Sequence, residues 1–336
     1  MAIIETRGLT RDYVAYDGSG LRRTRRLVRA LDGLDLRVEP GEAVGYLGAN
    51  GSGKSTTIKM LTGILVPSSG SVRTCGLDPV PSRRQLSKRI GVVFGQRSAL
   101  WWDLPLVESF PILAAIHRLP EASWRPRFDT LVDGLELGAF LERPVRNLSL
   151  GQRMRGEVAA ALLHSPDLVV LDEPTIGLDM ISKDNVRRFL ARDRAERGTT
   201  LLLTTHDLAD VQRLCGRMVV IDSGRLVFDG TEARLAEATD AERLLVIDLA
   251  EPVEGGALAS VLPPGCRLDA VEAEGRRVSL AFTAAISAAQ VLAAVASRAE
   301  VVELALAEPA IEDLVRQLYT RESPTNAASR PSRTSW

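Results

Sequence analysis

The sequence predicts an α/β protein organised around a Gly-rich strand-to-helix loop and followed by a smaller α+β module. Three observations carry that prediction. From Ile3 to about Gly230, short β-branched runs alternate with helix-length segments, the rhythm of strands joined through crossover helices. A Gly-rich stretch, Gly48-Ala-Asn-Gly-Ser-Gly-Lys-Ser55, stands directly between a strand over 44–47 and a helix that begins near Lys54. Past Gly230 the pattern shifts to strands over 244–249, 278–282 and 301–306, a helix over 284–299 and a last helix near 311–319. A chain of 336 residues exceeds the roughly 250 at which a single core stops growing, so two domains are expected. They are an α/β domain over 3–235 and an α+β module over 241–320, linked by a helical segment near 232–242. The tail over 322–336 is rich in Ser, Pro, Thr and Arg, has little to bury, and is expected to be disordered.

Composition narrows the classes. Hydrophobic residues at 45%, charged residues at 25% and a net charge of -1 describe an ordinary globular protein with no global attraction to nucleic acid or anionic lipid. Any polyanion must be held by a local site. Cys75, Cys215 and Cys266 are scattered, odd in number and without C-x-x-C spacing, which argues against a disulfide framework or zinc site and fits a reducing cytoplasm. The N-terminus lacks an apolar core of signal-peptide length. The long apolar stretch over 281–299 is mostly alanine and contains Ser287, Gln290 and Ser297, so it reads as a packed amphipathic helix, not a membrane span.

Within the first domain, strands are expected over 43–47, 90–94, 168–171, 199–204 and 218–221. Leu168-Val-Val-Leu171 is apolar without alternation, as suits a parallel strand covered on both faces. After Gly151, Met154, Val158, Ala161 and Leu162 recur at helical spacing until Pro166 closes the segment.

The Gly48–Ser55 stretch is a full G-x-x-x-x-G-K-[ST] pattern in a strand-to-helix setting. Triphosphates need many donors in a small concave space, and a Gly-rich loop brings backbone N–H groups close to them. Gly48, Asn50, Gly51, Ser52 and Gly53 would form that cradle, Lys54 would add charge at the β- and γ-phosphates, Ser55 a hydroxyl for Mg²⁺, and Thr56 a donor to the α-phosphate. The run Leu168-Val-Val-Leu-Asp-Glu-Pro174 supplies a carboxylate at a strand end for the metal shell, Asp172, and next to it a candidate general base, Glu173. ATP and Mg²⁺ are the expected cofactors.

At this point the sequence resembles the ATP-binding cassette family. Gln96 follows the 90–94 strand; then come Asn147-Leu-Ser-Leu-Gly-Gln-Arg153, similar to the family signature LSGGQ, Asp172-Glu-Pro-Thr-Ile-Gly-Leu-Asp179, and Thr204-Thr-His-Asp207. The resemblance spans roughly residues 3–235 and implies a P-loop NTPase cassette with a mixed sheet and a helical subdomain. It implies that Gln96 senses Mg²⁺ and the attacking water, that His206 contacts the γ-phosphate, and that Asp179 lies at a dimer seam. Ser149 and Gly151 would bind the γ-phosphate held by the other subunit, an assignment that the free N–H groups of a helix N-terminus support. Leu150 replaces the first of the family's paired glycines and puts the rate of hydrolysis in question. Tyr13 or Tyr16, just after the first strand, would stack on adenine, Tyr13 being preferred.

The implied function is the ATP-hydrolysing subunit of an ABC transporter: a homodimer or pseudo-symmetric heterodimer, peripheral on the cytoplasmic face of the inner (plasma) membrane, driving separate permease subunits and binding no nucleic acid. The stretch Val92-Val-Phe-Gly-Gln-Arg-Ser-Ala-Leu-Trp-Trp-Asp-Leu-Pro105 looks like bacterial drug and polysaccharide exporter cassettes and suggests export. The rival readings are a soluble ABC-type ATPase unconnected with transport and a nucleotide-dependent regulator of weak activity. Trp101 and Trp102 are candidates for the surface that meets the permease, or for burial in the domain. The basic run Leu21-Arg-Arg-Thr-Arg-Arg-Leu-Val-Arg29 reads as a solvated hairpin insertion or as a contact to headgroups or an acidic partner, while His117 and His164 read as packing residues.

Overall fold

The computed structural model describes residues 1–17, 24–95, 98–205, 207–239, 242–253, 255–283, 285–307 and 311–322. They divide into two compact units, Met1–Gly230 and Thr231–Trp336. The first contains β1 (Ile4–Asp17), β2 (Thr24–Val38), β3 (Ala43–Gly48), α1 (Lys54–Leu61), β4 (Ser69–Thr74), α2 (Arg83–Leu86) and β5 (Ile90–Val93). It continues with α3 (Leu106–His117), α4 (Glu121–Gly134), α5 (Leu150–Leu162), β6 (Leu168–Asp172), α6 (Met180–Arg197), β7 (Thr200–Thr204), α7 (Leu208–Leu214), β8 (Arg217–Asp222) and β9 (Arg225–Gly230).

The central sheet runs β5-β6-β7-β3-β8-β9, parallel except for the antiparallel β8–β9 pair. Leu168, Val169, Val170 and Leu171 are fully buried, which explains why β6 shows no alternation. Because β3, β6 and β7 are parallel, their carboxyl ends fall on one edge: Gly48 pairs with Ile221, and Asp172 with Thr204. The loops that leave this edge are where ligands bind in open α/β sheets. One core cluster joins Val44, Tyr46, Leu168, Val170, Leu202, Val219 and Ile221 to Ile58, Met60 and Leu61 of α1, so the helix behind the Gly-rich loop is anchored by burial. Each such side chain contributes about 1.5–3 kcal/mol relative to exposure.

A second, antiparallel sheet, β2-β1-β4, carries the N-terminus. Here the structure differs from the expectation for the tyrosines. The hairpin register continues through Tyr13↔Val28 to Asp17↔Thr24, so Tyr13 and Tyr16 lie inside β1, not beyond it. Of the basic run, 21–23 lie outside the described residues, and the rest is strand. Helices α3, α4 and α5 pack on one another, and a buried ion pair, Arg127 of α4 with Asp193 of α6, ties this helical group to the sheet side; Arg127 Nη2 donates to Asp193 Oδ2 at 2.9 Å.

The second unit has α8 (Glu232–Ala238), β10 (Arg243–Leu249), α9 (Gly255–Ala259), β11 (Cys266–Glu272), β12 (Arg277–Phe282), α10 (Ala288–Ala296), β13 (Val301–Ala307) and α11 (Ile311–Glu322). Its antiparallel sheet runs β11-β12-β10-β13 around Leu245, Ile247, Val278, Leu280, Phe282, Val291 and Val295. The expected helix over 284–299 is shorter because Ser287 caps it: Gln290 N–H donates to Ser287 Oγ at 3.2 Å, and Ser287 N–H to Gln290 Oε1 at 3.0 Å. β11 was not anticipated: Cys266, Leu268 and Ala270 alternate with Arg267 and Asp269, but that run is short and holds no β-branched residue, so it is easily passed over. The expected tail lies, beyond Glu322, outside the described residues. No helix among the described residues is long and apolar enough to cross a membrane.

Candidate functional site

The turn from β3 into α1 is built for close approach. Gly53 caps α1 with φ 111°, a conformation that strains any side chain, and a Cβ there would meet the Ala30 carbonyl at 2.7 Å. At Gly48 a Cβ would collide with Ser52 Oγ at 2.3 Å and the Ile221 carbonyl at 2.7 Å. No side chain caps α1, and its first intrahelical bond is Thr57 N–H to Gly53 O at 2.9 Å, which leaves the N–H groups of Lys54, Ser55 and Thr56 at the helix mouth. Ser52 Oγ is buried and has no protein partner. Lys54 Nζ folds back onto the Gly48 and Ala49 carbonyls. Burial lowers its pKa, while the charges of Glu173 and Asp172 oppose that shift.

A cleft of about 700 Å³ opens at this mouth, lined by Asn50, Gly51, Gly53, Lys54, Ser55 and Thr56 on one side and by Asp172, Glu173, Thr175, Ile176, Gly177 and Leu178 on the other, with Ala30, Lys183 and Asp207. Asp172, at the end of β6, is held by the Thr204 hydroxyl, which donates to Oδ1 at 2.5 Å. A continued strand would send Glu173 to the opposite face. Instead Glu173 turns into the left-handed region, φ 57°, with its N–H donating to Thr204 O at 2.9 Å, and both acids border the cleft. A non-glycine residue in that conformation costs of order 1–3 kcal/mol, strain of the kind that collects at functional sites.

The remaining predicted residues are distributed unevenly. Gly48 and Ser52 support the loop from behind and do not line the cleft, nor do Tyr13, Ser149, Gly151 and Asp179. Arg11 stacks over the Tyr13 ring at 4.9 Å. Ser149 caps α5 in a closed box with Gln152, at 3.1 Å from Gln152 N–H to Ser149 Oγ and 3.0 Å in return. Gly151 packs so near Gly177 that a Cβ would meet its carbonyl at 2.8 Å. Leu150 opens α5 and is not among the residues with positive φ, so its side chain introduces no backbone strain; it lies half-exposed against Gly177. Asp179 caps α6, taking Ser182 N–H at 2.9 Å and its hydroxyl at 2.8 Å, and these bonds hold its pKa below the usual carboxylate range. Gln96 and His206 lie outside the described residues.

Sequence reasoning missed Lys183 and Asp207 as cleft residues. Lys183 Nζ donates to Asp207 Oδ2 at 2.6 Å. Burial works to raise the Asp207 pKa, but Lys183 and Arg187 hold it below the ordinary value. Behind them Arg187 Nε and the Thr175 hydroxyl, each at 2.5 Å, share the buried carboxylate of Asp210. Lys183 falls one turn after Asp179, the spacing that sets two residues on one helix face, and that was the available signal. Trp102 is 51% exposed with Arg153 over its ring at 5.7 Å. His117 and His164 stack on each other, centroids 4.0 Å apart.

Comparison with known proteins matches residues 31–176 to the ABC transporter family. The chain is 32% identical over 231 residues to the ABC transporter ATP-binding protein NatA of Bacillus subtilis, covering 69% of this chain and 94% of that protein. It is 39% identical over 209 residues to the Nod factor export ATP-binding protein I of Cupriavidus metallidurans, covering 62% and 68%. Among solved structures, a dimeric ATP-binding cassette in a post-hydrolysis state with ADP and Pi superposes with a TM-score of 0.59 at 24% identity, over 68% of this chain and 98% of that one, a likeness of fold.

Proposed function

The chain belongs to the ABC transporter ATP-binding proteins, and on that footing we propose how its own residues perform the work of such a subunit. It binds and hydrolyses ATP and energises separate membrane-spanning permease subunits, in the manner of exporter cassettes, from the cytoplasmic face of the membrane. The observation that carries this reading is the convergence of Lys54, Ser55, Asp172 and Glu173 on one cleft beside an uncapped helix N-terminus.

The triphosphate lies against the N–H groups at 48–56, with Lys54 at its β- and γ-phosphates. Ser55, Asp172 and Gln96 would offer hard oxygen donors of the kind Mg²⁺ prefers, a small set that suits an ion that keeps most of its water. Bound there, Mg²⁺ would neutralise phosphate charge. Glu173 orients and deprotonates the attacking water, while His206 and Gln96 complete the site around the γ-phosphate. Tyr13 faces adenine. Two copies close over two nucleotides, Ser149 and Gly151 of each meeting the γ-phosphate of the other, with Asp179 at the seam. The reading as a weakly active regulator drew on Leu150, and the absence of a positive φ there supports the active reading over it. Glu173→Gln is expected to keep ATP affinity within about twofold while turnover falls at least ~100-fold. A steady-state ATPase assay alongside nucleotide titration checks this, and undiminished turnover would falsify the base assignment.

A further inference from the structure

Strand β13 ends the sheet of the second unit. Its partner is β10, with Leu306 opposite Leu245, Leu304 opposite Ile247 and Glu303 opposite Asp248. Opposed residues share a face. Leu304 and Leu306 therefore continue the face on which Leu245 and Ile247 are buried, yet at the edge they are 46% and 43% exposed, and Val302, beside the register shift, is 68% exposed. Every residue of β13 after Val301 is exposed, and among the described residues no strand pairs with its outer edge. Edge strands are ordinarily blunted by Lys, Pro or inward charge. Of such devices β13 has the register shift at its start, no Lys or Pro, and one ionisable residue, Glu303. A free apolar edge is a template for another strand.

We propose that this edge pairs antiparallel with β13 of a second copy, a dimer contact independent of nucleotide. The strand is complementary to itself. Centred on Ala305, the pairing uses the regular run 303–307 and leaves the register shift outside it. Leu304 then faces Leu306 of the other copy on the apolar side, and Glu303 faces Ala307. A centre on Glu303 would instead oppose two carboxylates, so charge selects against it. The apolar stripe is closed from water by an identical stripe. A cassette that dimerises around ATP already has a second copy at hand, and a tether outside the nucleotide site turns each closure into an intramolecular event. The contact goes beyond the ATP-driven dimer: it keeps the pair together after hydrolysis has opened the cassettes.

The test is sedimentation equilibrium of the full chain without nucleotide. Wild type is expected to be dimeric at about 50 μM, and Leu304→Lys to weaken that dimer at least ~10-fold. Ala305→Cys should form a disulfide-linked dimer on mild oxidation without ATP, since directly opposed residues lie about 4.5–5.5 Å apart, within disulfide range. The unsubstituted chain, with buried Cys75 and partly buried Cys215 and Cys266, controls for background. Folding of the lysine variant is checked by combining it with Glu173→Gln, which should still dimerise on Mg-ATP. A monomeric wild type, a dimer untouched by Leu304→Lys, or no cross-link at Ala305→Cys overturns the proposal. If truncation after Glu322 converts a monomeric wild type to a dimer, the chain's own tail is the occupant and the proposal falls likewise. If Glu173→Gln alone fails to dimerise on Mg-ATP, the ATP-site reading fails, and the nucleotide-free samples still judge the edge.

Discussion

Two helix N-termini in the first unit, both assigned to phosphate in the proposed function, are finished differently. α1 begins at Gly53 with no side-chain cap, its donors open to the cleft and Lys54 beside them. α5 begins at Ser149 with its cap closed by Gln152, and borders no part of that cleft. The first is organised before ligand arrives. In the proposed closed dimer the second would keep the bond from Gln152 N–H to Ser149 Oγ and donate the Ser149 hydroxyl proton to the partner copy's nucleotide. The difference teaches that, on the proposed reading, binding and closure would draw on separate residues of one chain, and each should yield to its own substitution.

The largest expected effect breaks the preformed half. Lys54→Ala should raise the Kd for Mg-ATP at least ~100-fold in equilibrium titration of the isolated chain, because a half-buried point charge at the phosphates is lost. Next, Gly53→Ala forces a side chain into φ 111° against the Ala30 carbonyl and should lower both stability, by about 1–3 kcal/mol, and nucleotide affinity. Chemical denaturation and titration read the two losses.

A smaller effect concerns the far end of the signature helix. His164, just past α5, donates from Nε2 to the Ile90 carbonyl at 3.0 Å, while its Nδ1 is buried without a partner. Burial, with His117 and Arg127 nearby, pushes its pKa down to about 4 from the ordinary 6.5. His117 is lowered too, by burial and by Lys88. Between these values the unfolded chain binds more protons than the folded one, so this stability is complete above pH 6.5 and is lost as pH falls toward 4. About 1 kcal/mol should go between pH 7.5 and 5.5, and His164→Phe should flatten that part of the slope in denaturation at both pH values. Smallest of all, Leu150→Gly should change turnover less than about threefold, since nothing in the backbone at Leu150 asks for glycine.

The open half of the comparison was legible in the sequence because it is local: a strand, five loop residues and a helix carry the whole cradle, and Asp172 and Glu173 close a strand whose apolar run announces itself. The closed half was legible only as a motif. That Glu173 reaches the cleft through a left-handed turn depends on a φ value that the sequence does not announce, whereas the Ser149–Gln152 box was written in the S-x-x-Q spacing and went unread. Lys183 and Asp207 escaped notice because their meeting joins α6 to the segment after β7, 24 residues apart in the chain. β11 escaped because its alternation over 266–270 is short and holds no β-branched residue, and the reach of the β1–β2 hairpin because exposed strands carry little periodicity.

The account rests on ATP being held by the α1 mouth of one copy and closed over by the α5 mouth of another. Sedimentation of Glu173→Gln with Mg-ATP, with and without Ser149→Ala, measures that directly when nucleotide-free association is subtracted. The added ATP-dependent association should be lost with Ser149→Ala while each chain still binds Mg-ATP with unchanged affinity. Undiminished ATP-dependent association in the double variant, or loss of binding with it, would contradict the division of labour between the two helix ends.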